Sequence, residues 1–201
     1  ALVQTQTVAA FTPTPTPTKT PVPTLVPTLV AGEIAKLYDD KSQLEVILDD
    51  KRLIVAPPNQ NRHVIVNHAN TPNSGLLAMI GGSQLQFNAV TNSKIQLRLL
   101  PGSDLFAQTD PYQNGIEIEL ARLSVIISAK GCLAVQYADD SHLSADCFDG
   151  VCGFSINFGA QTIAFESGQQ IQLDVSQLRL VARREIPTAD IIKYRALLSA
   201  T

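Results

Sequence analysis

Tryptophan is absent from this 201-residue chain, methionine occurs once, and aromatic residues make up only 5%. Core volume must therefore come from Leu, Ile, Val and Ala, with Phe as the main large filler. So few rings also argue against a sugar-stacking surface. Charge is sparse, at 16% of residues with a net of −3, and no basic run occurs. A nucleic-acid partner is not expected, because phosphate binding needs clustered Lys and Arg. No apolar run approaches the roughly 20 residues that span a bilayer. The three cysteines are too few for a disulfide-dense scaffold. They permit one bridge and one leftover thiol. The chain starts at Ala1 with neither Met nor a hydrophobic signal core. We read it as a processed or trimmed product, attached to a membrane, if at all, only through a missing upstream anchor.

Catalytic signatures are missing as well. There is no G-x-S-x-G, no P-loop and no H-E-x-x-H. No catalytic residue, metal site or cofactor is expected. His63, His68 and His142 are not spaced as metal ligands. His63 opens an apolar strand and reads as a packed or edge histidine. His142 reads as solvent-facing. The doublets Asp39-Asp40, Asp49-Asp50 and Asp139-Asp140 fall where the chain must turn, and aspartate suits turns by hydrogen-bonding its own backbone. Gly81-Gly82-Ser83 and Pro101-Gly102-Ser103 read as turns, not phosphate loops, since no helical pattern follows either.

What is present begins with FTPTPTPTKTPVPTLVP, residues 11–27. Proline fixes φ and removes a donor, and it pushes the preceding residue to extended backbone. The run is expected to be a polyproline-II-like rod, and its 17 residues would reach roughly 50 Å. Thr12, Thr14, Thr16, Thr18, Thr20, Thr24 and Thr28 line this stalk. It reads equally as an O-glycosylated stalk or as an unmodified linker. Ahead of it, Leu2, Val3, Gln4, Thr5, Gln6, Thr7 and Val8 alternate without charge, Gly or Pro. Two readings stay open: the frayed remnant of a preceding anchor or helix, or a strand donated to a neighbouring subunit.

From about residue 32 to 174, short alternating runs are separated by turn residues. QLEVIL (43–48) and RLIV (52–55) flank Asp49-Asp50-Lys51, read as a tight hairpin. Further strands are expected at 63–66, 84–90, 94–100, 115–120, 123–128, 132–137, 142–147, 151–158, 161–165 and 170–174. That spacing indicates an all-β fold, an antiparallel sandwich or barrel-like domain. A short C-terminal helix opens at Pro187-Thr188, with Ile191, Tyr194, Leu197 and Leu198 on one stripe. The expected organisation is an extended segment at 1–11, a stalk at 12–30, a β-domain at 31–185 and the helix at 186–201. The β-domain is read as one unit or as two subdomains split near residue 101.

Asp149-Gly150 reads as a two-residue hairpin turn. It would set Cys147 opposite Cys152, Ala145 opposite Phe154 and Leu143 opposite Ile156, all on one apolar face. The preceding hairpin matches faces when Val135 lies opposite Ala145 and Leu133 opposite Cys147. Cys132 then falls on the other face. A Cys147–Cys152 bridge and a free Cys132 are expected, which suits an oxidising compartment.

Three stretches resemble a known family. SKIQLRLLPGSDL (93–105) is similar to a strand–Pro/Asp-Gly-Ser–strand unit. GCLAVQYADDSHLSADCFDGVCGF (131–154) and IAFESGQQIQLD (163–174) are similar to a closing segment in which a Gly-Gln turn precedes the last strand. Together they resemble FecR-type β-domains over roughly residues 71–174. The Gly-Thr that members often carry mid-domain has no counterpart after Leu120. The resemblance implies an extracytoplasmic β-module of bacterial envelope signalling and surface proteins, often placed after an anchor and a linker. It carries over no catalytic residue.

The leading expectation is a non-enzymatic, extracellular or cell-surface structural protein. Its partner would be a second copy or another envelope protein, and residues 1–11 would dock it into a filament or surface layer. The alternative is a FecR-like sensing or regulatory module held off the membrane by the stalk. An enzyme or carbohydrate-binding domain ranks third.

Overall fold

The computed structural model describes residues 35–39, 46–48, 52–68, 71–91, 94–109, 115–121, 123, 125–139, 142–156 and 161–199. The stalk threonines and the proposed docking strand at residues 2–8 lie outside the described residues. The rest is an all-β sandwich with one C-terminal helix.

Its first layer begins with β1 (Ala35–Asp39), which pairs with β2 (Val46–Leu48) on one side and β4 (Arg62–His68) on the other. β5 (Thr71–Met79) and β8 (Ser103–Thr109) follow. The second layer begins with β3 (Leu53–Val55), β6 (Gln84–Val90), β7 (Lys94–Leu99) and β9 (Gly115–Leu120). Two long strands, β10 (Val125–Tyr137) and β11 (His142–Ile156), belong to both. The far half of β10 pairs β8 in the first layer, and its near half pairs β9 in the second. The near half of β11 pairs β13 (Gln169–Asp174), which carries β14 (Arg179–Glu185). Its far half pairs β12 (Gln161–Glu166). All pairings are antiparallel except β7 with β9, a parallel exception to the antiparallel expectation.

The β10–β11 ribbon passes from one layer to the other at a corner. Gly131 and Gly150 lie opposite each other there at φ 117° and 83°. A β-bulge supplies the bend: Cys132 faces Asp149 and Leu133 faces Cys147, which leaves Phe148 as the extra residue. Before the bulge Leu143, Ala145 and Cys147 face the core; after it Cys152, Phe154 and Ile156 do. The expected pairs Val135–Ala145 and Leu133–Cys147 form. The expected two-residue hairpin at Asp149-Gly150 does not. Phe154 faces Ile127 and Ile156 faces Val125 instead. Cys147 and Cys152 lie on one strand folded over at the corner, with Cα atoms 6.0 Å apart, and they form the expected disulfide. Cys132 is free.

One apolar cluster fills the sandwich and continues across residue 101. It includes Leu77, Met79, Leu133 and Ile171 from the first layer, and Leu85, Phe87, Ile118 and Phe154 from the second. Burying side chains of this size stabilises by roughly 1.5–3 kcal/mol each relative to exposure. Asp49-Asp50-Lys51 lies outside the described residues, but the strands on either side are not the expected hairpin pair, because β2 pairs with β1 and β3 with β6. Ile54 of β3 is buried in the core cluster, and its cross-strand partner is Leu85. The strands β1, β5 and β14 were not expected, while β8 follows the Pro101-Gly102-Ser103 turn as the strand–turn–strand resemblance of residues 93–105 implied. β5 starts TPNSG and β14 reads RLVARRE, and pairing to neighbours overrides those weak local preferences.

Candidate functional site

The helix α1 (Thr188–Ser199) starts where expected, just after Pro187. Ile186 N–H donates to the Gly168 carbonyl at 2.9 Å and fixes the approach. Tyr194 and Leu197 are buried, and Leu198 packs beside them. This stripe lies on the outer face of the first layer against Ala78, Phe106 and Ala134. The rings of Phe106, Phe148 and Tyr194 meet with centroids 5.6–5.8 Å apart. His63 is buried at 2% exposure, and its Nε2 lies 3.1 Å from the Leu197 carbonyl near the helix C-terminus. A carbonyl only accepts, so this ring nitrogen carries the proton. His63 is thus a packed histidine. His142 is exposed, and its backbone N–H donates to Asp139 Oδ1 at 2.9 Å, as turn chemistry requires.

Beside the aromatic contact runs a polar seam. Asp104 accepts from Lys193 Nζ and, at 2.6 Å, from Tyr194 OH. Asp146 is buried, and its Oδ1 accepts from Gln170 Nε2 at 2.7 Å. The same Gln170 nitrogen reaches Asp190 Oδ2 on the helix at 3.1 Å. Gln170 Oε1 in turn accepts from Arg184 Nε at 2.8 Å. Burial is the main force lifting Asp146 from 3.8 to about 6; the Gln170 bond opposes it, Asp190 adds to it, Lys193 opposes it and Asp104 adds to it. Burial, and then Asp104, push the Tyr194 phenol far above its ordinary range.

The two glycine–serine turns place Asp104. Ser83 Oγ donates to the Asp104 carbonyl and accepts from the Asp104 N–H, each at 2.9 Å. Ser103 Oγ likewise donates to the Gln84 carbonyl at 3.0 Å and accepts from the Gln84 N–H at 2.9 Å. Both serines are buried. These loops are reciprocal clasps between the start of β6 and the start of β8, consistent with the turn reading.

At the end of the seam a cleft of about 850 Å³ opens between α1 and the corner. Phe106, Phe148, Ile191 and Leu198 give it an apolar wall, and Glu185 and Arg195 stand at its edge with Cys132. Burial, and secondarily Asp149, push the Cys132 thiol above its usual range, which favours the neutral thiol over the thiolate. Among the described residues no group of three or more His, Cys, Asp or Glu is placed to hold a metal ion. No helix among them is long and apolar enough to cross a membrane.

Of the expected site residues, the structure places Cys147 and Cys152 at the corner, 6.0 Å apart between Cα atoms. Sequence reading missed Asp104, Asp146, Gln170 and Asp190. These residues occupy polar positions that look like an ordinary solvent face. The available signal was the helical stripe of residues 191–198, which had to cover something.

The fold has relatives among solved proteins. Two crystal structures of a candidate anti-sigma factor from Parabacteroides distasonis ATCC 8503, at 1.65 and 2.50 Å resolution, superpose with TM-scores of 0.56 and 0.55. Identity is 10% in both, over 71% and 70% of this chain. The match covers 64% and 62% of the two neighbours, less than two thirds of their length. No family model matches the sequence, and no curated protein matches it.

Proposed function

We propose that this chain is a non-enzymatic regulatory module of the bacterial cell envelope. Its β-domain acts outside the cytoplasm by binding another envelope protein, and the Thr/Pro stalk holds it away from the membrane. The observation that carries this reading is the likeness in fold to the candidate anti-sigma factor over 71% of the chain. The FecR-type resemblance of residues 71–174 points the same way. A disulfide suits an oxidising compartment. The filament reading rests on residues 1–11 and the stalk, both outside the described residues, and on the lack of a catalytic signature in the sequence.

The test is an in-frame deletion of residues 31–199 from the native gene, followed by transcript profiling. A regulatory module predicts that a small, discrete set of transcripts changes and is restored by the intact gene. An unchanged transcript profile together with loss of a surface layer or filament in electron micrographs would sink the proposal.

A further inference from the structure

The seam between α1 and the first layer is built from groups whose charge depends on pH. Three polar side-chain contacts across it end on a carboxylate: Lys193 and Tyr194 on Asp104, and Gln170 on Asp190. Asp146 lies beneath, 4% exposed, sharing the Gln170 amide with Asp190. Three carboxylates from β8, β11 and α1 therefore crowd a seam in which the helix sets one cation, Lys193, against them, its other cation Arg195 being exposed at the edge of the cleft. β14 supplies Arg184, which is spent on Gln170 Oε1. β4 supplies His63, whose Nε2 meets the Leu197 carbonyl at the far end of the helix, and β10 presents the uncharged Ala134 opposite Asp146.

We propose that α1 is a pH-sensitive cap, held more tightly to the sheet in mildly acidic than in neutral surroundings. An ionised Asp146 adds a third negative charge under the helix; a protonated one removes the repulsion and keeps the Gln170 bond. Lifting the helix admits water to Asp146 and lets its carboxyl fall back from about 6 toward 3.8. The closed form therefore holds the proton more tightly, and opening becomes easier as pH rises between those values. Full hydration on opening corresponds to about a tenfold rise in the opening constant between about pH 5 and about pH 7.5. Opening uncovers the rings of Phe106 and Phe148, which α1 covers through Tyr194.

Amide hydrogen exchange on the whole chain reads this directly, after correction for intrinsic exchange chemistry. Protection of residues 190–199 should fall about tenfold between about pH 5 and about pH 7.5, while β7 and β9 hold theirs. Asp146→Asn should keep the helix protected throughout. Helix protection indifferent to pH, or a fall of the same size in Asp146→Asn, would overturn the proposal. If that variant does not fold, carbon-detected titration of the wild-type Asp146 carboxyl decides. A midpoint near 6, tracked by the Lys193 and Tyr194 amides, supports the cap. A midpoint at the ordinary aspartate value refutes it.

Discussion

Gly150→Ala should cost this domain far more than Gly168→Ala, although the two glycines share nearly the same φ, 83° and 85°. An alanine in left-handed backbone costs roughly 1–2 kcal/mol. At Gly168 that is the whole effect, because an added Cβ meets nothing within 4 Å. At Gly150 the Cβ would sit 1.8 Å from the Lys130 carbonyl oxygen and 2.9 Å from its carbon. That carbonyl is backbone of β10, whose Lys130 lies directly across from Val151. It can retreat only if the ribbon opens at the corner. Opening loses ladder hydrogen bonds at about 1 kcal/mol each and loosens the core on both sides. With two such bonds lost the sum is at least about 3 kcal/mol, against a total of about 5–15 for a typical domain. Urea melts followed by circular dichroism would measure both variants. If Gly150→Ala fell within about 1 kcal/mol of Gly168→Ala, the corner would not be the tight crossing described here.

Asp146→Asn should raise stability at neutral pH. The native carboxyl is lifted from 3.8 to about 6, so between those values the folded chain binds more protons than the unfolded one. Wild-type stability therefore declines as pH rises through that window and is level above it. Asparagine removes the decline and still accepts the Gln170 bond, a gain of at most about 3 kcal/mol at pH 7. A variant less stable than wild type in neutral urea melts would contradict this. Reducing Cys147–Cys152 should lower stability by about 2 kcal/mol at most, because the closed loop spans so few residues. Melts with and without reductant, with free thiols counted, would show it. Outright unfolding on reduction would refute the estimate.

Much of the sandwich was legible because alternation along a strand is a local signal. The core-facing set Leu143, Ala145, Cys147, Cys152, Phe154 and Ile156 was identified residue for residue. Its geometry was not, and the reason is specific. A hairpin at Asp149-Gly150 and a one-residue bulge at Phe148 produce the same switch from odd to even core positions. Only the partner strand distinguishes them, and β10 is twelve or more residues away along the chain for most of those contacts. The disulfide survived the misreading because both geometries bring positions 147 and 152 together. α1 was legible because its stripe repeats at helical spacing within one short segment. The seam beneath it was hidden. Asp104, Asp146 and Gln170 sit at alternate, polar positions that match a solvated face. Their burial is set by where a helix some twenty to ninety residues downstream comes to rest.

The shared ribbon also bears on the order in which the chain assembles. β10 and β11 are joined across residues 138–141 alone, so bringing them together closes a short loop. Once formed, they expose edges on which both layers can be laid: β8 and β13 toward one, β9 and β12 toward the other. β1, by contrast, needs β4 across a gap of more than twenty residues. The ribbon is thus the cheapest nucleus available to this topology, and truncations at Val135 or Ile127 should slow refolding, whereas truncations at Val64 should mainly hasten unfolding. The opposite pattern in stopped-flow refolding would place the nucleus elsewhere. A corner that joins the two layers of the finished domain is, during folding, the template that lets one hairpin specify two sheets.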